Sequence, residues 1–130
     1  AGAPAALRSE LRLQNPAAYQ YLGGSKAVAS KGQDSSDDQM FAATLEAMRA
    51  VGFDATEIKW VWALLASVLK LGNVTFKEQG DATAIVDTAV LEDVAQILKF
   101  DAKAMGRALT TRRIKAGGEW IESPAAGLNW

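Results

Sequence analysis

A mainly α, α+β domain is the expectation for this chain: a helical subdomain around a buried central helix, with a small antiparallel strand pair and a projecting β-hairpin. Three observations predict it. The run from Asp54 to Leu71 is apolar on nearly every face of a helix. Three further stretches each begin with a capping residue and continue with apolar residues at helical spacing. Finally, Thr110–Lys115 and Glu119–Glu122 are two β-leaning runs on either side of Gly117-Gly118. At 130 residues with 49% hydrophobic and 22% charged content, the chain can bury about two-thirds of its unfolded surface, enough for a single domain over residues 1–130.

Taken in order, Ala5 to Leu13 places Leu7, Leu11 and Leu13 at near-helical spacing and stops at Gln14-Asn15-Pro16, because the residue before proline is pushed out of the helical region. Tyr19 and Tyr21 follow as a local packing cluster, and Ser25 to Ser35, rich in Gly, Ser, Lys and Asp, reads as an exposed loop. Ser36 with Gln39 makes a capping box, and Asp37 and Asp38 sit where the helix dipole favours them, which explains the acidic pair without a cation. Phe41, Leu45, Met48 and Val51 form the inner stripe of that helix, and Gly52 closes it.

Asp54 and Glu57 form a second capping box. Ile58, Val61, Trp62, Leu65, Val68, Leu69 and Leu71 then follow at helical spacing, with Trp60, Ala63, Leu64 and Ala66 on the remaining faces, so the helix is expected to be buried all round. Gly72 stands where a left-handed residue is wanted. Val74 and Phe76 begin a strand, Lys77-Glu78-Gln79-Gly80-Asp81 is the polar connection, and Ala82 to Val86 returns antiparallel. Thr88 is the expected cap of the next helix, with Leu91, Val94, Ala95, Ile97 and Leu98 inward, and Asp101 caps another with Met105 and Leu109 inward. The closing hairpin is basic on its first strand, at Arg112, Arg113 and Lys115, and carries Trp120 on its second. From residue types alone this is either a protein interface or a solvated hairpin with Trp120 tucked onto the core.

Composition sets limits. The net charge of −1 gives no global basic field, which argues against nucleic-acid binding through Arg112, Arg113 and Lys115. The chain has no Cys and no His, which removes thiol chemistry, disulfides, imidazole bases and the commonest zinc ligands. Glu57, Lys59 and Lys70 interrupt the best candidate for a membrane span. Residues 1–6 lack the order of a signal peptide and, with 125–130, read as fragment edges. A cytoplasmic protein is expected.

Several of these stretches resemble the myosin motor head. Leu65-Ala66-Ser67-Val68-Leu69-Lys70-Leu71-Gly72-Asn73-Val74-Thr75-Phe76 is similar to the family's Leu-Ala-Ala-Ile-Leu-His-Leu-Gly-Asn-Ile-x-Phe, with Lys70 in place of His. The segment from Pro16 to Gly23 resembles Pro-x-x-Tyr-x-Tyr-Leu-Asn, with Gly23 for Asn. Asp37-Asp38-x-x-Phe41-x-x-Thr44-x-x-Ala47-Met48-x-x-Val51-Gly52-Phe53 resembles the family's Asp-Asp-x-x-x-Phe-x-x-Thr-x-x-Ala-Met-x-x-Leu-Gly-Phe with one spacer fewer, and Leu98 to Ile114 resembles the block ending Ala-Leu-Thr-Thr-Arg-x-Ile. The similarity runs from Leu7 to Pro124.

This resemblance implies a piece of the upper actin-binding-cleft subdomain of an ATP-driven motor, located on the cytoskeleton. The hairpin would be the loop that docks on actin, with Arg112, Arg113, Lys115, Ala116, Glu119 and Trp120 at its contact positions. The connection at Lys77, Glu78 and Gln79 would be a secondary contact with actin or tropomyosin, unless it is a plain solvated turn. No Gly-rich phosphate loop followed by Lys-Ser/Thr occurs in the sequence, so no catalytic residue, cofactor or metal site is expected within the segment. ATP and magnesium would belong to the parent motor. Expected partners are the actin filament and the remainder of the motor head, with self-association if a partner helix is missing. The competing reading is a free-standing helical protein-interaction domain without motor activity.

Overall fold

A computed structural model describes residues 2–23, 36–80 and 82–125. The mainly α, α+β class is as expected: five α-helices, two short 3-10 turns and two separate two-stranded antiparallel pairs lie among the described residues. They gather into two compact units, Ala1–Gly72 and Asn73–Trp130.

In the first unit, α1 (Ala5–Glu10) is shorter than its leucine spacing suggests. Arg12 turns left-handed at φ 49°. Leu13 N–H donates to the Arg8 carbonyl at 2.8 Å and Arg12 N–H to that of Ser9 at 3.0 Å. This pair of bonds satisfies the last helical carbonyls and ends the helix well before Pro16. Leu11 is buried, and so is Tyr19, whose hydroxyl accepts from the Gln14 amide at 2.9 Å. Tyr21, by contrast, is 66% exposed, with its ring lying against Gly72. The loop expected over Ser25 to Ser35 lies outside the described residues.

α2 (Asp37–Ala50) starts at the Ser36–Gln39 capping box, as expected. Phe41, Leu45 and Met48 are half-buried, but Val51 is 76% exposed. Val51 is the residue at which the helix ends, one before Gly52 turns left-handed, so its side chain leaves the inner stripe.

α3 (Ala55–Leu71) is capped by Asp54, whose Oδ1 accepts from the amides of Thr56 and Glu57 at 2.7 and 2.9 Å, while Glu57 accepts from the Asp54 amide. Asp54→Ala is expected to lower stability by about 1 kcal/mol. Thermal melting of the chain measures this, and an unmoved transition would mean the cap contributes nothing.

The all-round burial expected of α3 is not found. Ala63, Ala66, Ser67 and Lys70 form a buried stripe at helical spacing, and Ile58 is buried nearer the start of the helix. Trp60, Leu64 and Val68, four apart, and Leu65 are 46%, 56%, 46% and 49% exposed. Apart from Ile58 and Lys70 the buried stripe is made of small residues; Val61, Trp62, Leu69 and Leu71 are half-buried beside it, and Trp60, Leu64, Leu65 and Val68 stand on the exposed faces. Lys70 is buried because its Nζ donates to the Arg12 carbonyl at 2.8 Å, where the left-handed turn presents that oxygen. Lys59 and Glu10 add an ion pair between α3 and α1. Gly72 is not left-handed but helical, at φ −60° and ψ −19°. Glycine is needed there because a Cβ would come within 2.7 Å of the Tyr21 ring.

The second unit begins with buried Val74 and the pair β1 (Phe76–Gln79) and β2 (Ala82–Ile85), in register Phe76↔Ile85 to Gln79↔Ala82. The turn is therefore tighter than the sequence suggests, and Lys77, Glu78 and Gln79 belong to strand β1 instead of the connection. α4 (Thr88–Leu98) is capped by Asp87, whose Oδ1 accepts from the Ala89 amide, and Thr88 is its first helical residue. A carboxylate one residue earlier outcompetes the threonine hydroxyl for the same orphan amides. Leu91, Val94 and Ala95 are buried, as their spacing predicts. α5 (Ala102–Thr110), capped by Asp101, packs on α4 and β2 and leads directly into β3 (Thr111–Ala116) and β4 (Glu119–Pro124).

Candidate functional site

The β3–β4 hairpin forms because Gly117 and Gly118, at φ 61° and 91°, supply the two left-handed residues that a two-residue turn between right-twisted strands requires. That turn fixes the register: Ala116↔Glu119, Lys115↔Trp120, Ile114↔Ile121, Arg113↔Glu122, Arg112↔Ser123 and Thr111↔Pro124. At its base the Ala125 amide donates to the Thr110 carbonyl at 2.9 Å, and the Thr83 hydroxyl on β2 donates to the Ala125 carbonyl. The Thr110 and Thr111 hydroxyls bond the Gly106 and Arg107 carbonyls, which satisfies the end of α5. Every residue from Arg112 to Glu122 is exposed.

Directly opposed residues share a face of a two-stranded ribbon, so the register sorts the expected contact residues into two sets. Arg113, Lys115 and Trp120 lie together on one face with Glu122. Arg112, Ala116 and Glu119 lie on the other with Ile114 and Ile121. The first set is interlocked. The Arg113 guanidinium carbon sits 5.4 Å from the centroid of the Trp120 ring, a cation–π contact worth about 0.5–1 kcal/mol at an exposed site. Arg107 of α5 reaches the same face, donating from Nε to Glu122 Oε2 at 2.8 Å and also from Nη2. Trp120 is 61% exposed and so is not tucked onto the core.

Sequence reasoning missed Arg107 and Glu122, and Ile114 and Ile121, which are 42% and 49% exposed. The turn and its alternation could have revealed Glu122 as the acid beside Arg113. The angle between α5 and the hairpin, which brings in Arg107, leaves no periodic signal. Lys77, Glu78 and Gln79 are exposed along β1. Among the described residues no group of three or more acidic, His or Cys side chains comes together as a metal site would require, and no helix is long and apolar enough to cross a membrane.

The family model for the myosin head (motor domain) matches residues 1–128 of this sequence. The chain belongs to the myosin head family. It is 36% identical over 115 residues to the myosin IC heavy chain of Dictyostelium discoideum, covering 88% of this chain and 10% of that protein. It is 35% identical over 126 residues to myosin-1 of Pyricularia oryzae, covering 95% of this chain and 10% of the relative. Human unconventional myosin-XVB is 32% identical over 116 residues, which is 86% of this chain and 4% of the relative. The chain thus spans a tenth or less of the length of these myosins. Within the myosin head family it represents a motor-domain segment, and the hairpin just described is the last structured feature of that segment among the described residues.

Proposed function

We propose that this segment supplies the upper-cleft actin-contacting surface of an ATP-driven myosin motor, with the β3–β4 hairpin as the contact. The observation that carries the reading is the exposed, preorganised tip: cations and a large aromatic ring stand clear of the core on a turn whose geometry is set by two glycines. Such a combination suits an acidic protein partner, because aromatic and Arg side chains dominate the centres of protein interfaces. Lys77, Glu78 and Gln79, in line along β1, are the proposed secondary contact with actin or tropomyosin. The uncovered rows of α3 at Trp60, Leu64, Leu65 and Val68 support a second element of the reading: the remainder of the motor head covers them. A chain that is 10% of its relatives' length leaves ample protein to do so. Nucleotide and magnesium belong, on this reading, to other parts of that head, and the motor works on the cytoplasmic cytoskeleton.

The test is actin co-sedimentation and association kinetics of the motor head carrying this segment at two salt concentrations. Arg113→Glu is expected to slow association by up to about tenfold and to flatten its salt dependence, since steering by clustered charge acts on encounter. Arg113 also stacks on Trp120, so Arg112→Glu, which leaves that contact in place, separates charge from stacking. Unchanged association in both variants at both salt concentrations would assign the hairpin to a solvated surface role.

A further inference from the structure

We propose that Arg107 is the positioning residue of the docking face: by holding Glu122 it leaves Arg113 free to fix Trp120, and so sets how that face meets an acidic protein surface. The inference rests on the docking reading above. Among the described residues Glu122 is the one acid on the face that carries Arg113, Lys115 and Trp120, and its direct cross-strand partner is Arg113. Opposite charges facing each other across a strand pair attract, so Glu122 competes with the Trp120 ring for the Arg113 guanidinium. The observed arrangement resolves that competition. Glu122 Oε2 accepts two N–H groups from Arg107, while Arg113 lies over the indole ring. Arg107 also neutralises a carboxylate that would otherwise repel an acidic partner.

The link reaches the tip from a rigid element. α5 is a capped helix packed on α4 and β2, and Arg107 stands in its last turn, so the hairpin face is referenced to the body of its unit. Both side chains are partly solvated, 68% and 41% exposed, which limits the effect to about two- to fivefold in a rate or a population.

The experiment uses the motor head carrying this segment, labelled with 5-fluorotryptophan, with the Trp120 resonance assigned by its loss in Trp120→Phe. Arg107→Gln is expected to shift and broaden that resonance without filament present, and to speed dissociation from actin about two- to fivefold. Arg107→Gln combined with Glu122→Gln is expected to restore both readouts, because no carboxylate remains to draw Arg113 away. A clamp that merely held the strand in place would leave the double variant no better than the single one, and that result would overturn the proposal. So would an unmoved resonance and unmoved dissociation in Arg107→Gln while Trp120→Ala still releases actin faster. If the resonance moves as expected but neither Arg107→Gln nor Trp120→Ala changes dissociation, the docking reading fails and Arg107 remains the residue that orders Trp120 alone.

Discussion

Leu91→Ala is expected to destabilise the chain by about 2–5 kcal/mol, the largest effect of any single truncation in the second unit. Leu91 is 4% exposed on the inner face of α4, beside Val94 and Ala95. Across from it stands Gly106, where even a Cβ would lie only 3.2 Å from Leu91 Cδ2. The neighbour that could collapse into the space therefore has no side chain to offer, which keeps the cost toward a cavity that persists. Urea unfolding of the wild-type and variant chains measures it, with a lower midpoint at an unchanged slope as the signature. The same truncation at Leu65, which stands half in solvent, is expected to cost no more than about 1 kcal/mol in this chain. Equal losses at the two positions would contradict the burial described here.

Trp120→Ala is expected to raise the dissociation rate from actin by about 30-fold, the equivalent of roughly 2 kcal/mol for an aromatic anchor at the centre of an interface. Its effect on association should be small, because the substitution removes no charge. That split distinguishes it from Arg113→Glu, which acts on encounter. Stopped-flow dissociation of the motor head carrying the variant is the measurement, and a rate within twofold of wild type would remove Trp120 from the contact.

The caps of this fold were legible in the sequence because their chemistry is local. Ser36 with Gln39, Asp54 with Glu57, and Asp101 all cap where their spacing says, and Gly117-Gly118 turns where its backbone freedom is needed. Asp87 displaced Thr88 by one position because two good caps were adjacent, and propensity does not decide between them at that range. The faces of α3 were misread for a different reason. Periodicity shows which residues are apolar, but a helix apolar all round can be covered on one side only when the chain in hand is a small part of its family's length. The hairpin was legible as a hairpin, and its six expected contact residues are all exposed. Their division between two faces follows from the register, and the Arg107–Glu122 link from an angle between elements that no spacing encodes.

The glycine turn also has a consequence in time. Every rung of the hairpin, from Ala116↔Glu119 out to Thr111↔Pro124, joins residues close in sequence, so the ribbon closes without waiting for any distant segment. Such hairpins zip in about 1–10 μs. The ribbon is anchored to β2 through Thr83 and Ala125 and to α5 through Arg107 and Glu122, so local opening is confined to the rungs nearest the glycine turn. The proposed docking element thus closes on a clock of its own, and sequence change at its tip can retune attachment without touching the buried Leu91, Val94 and Ala95 of α4.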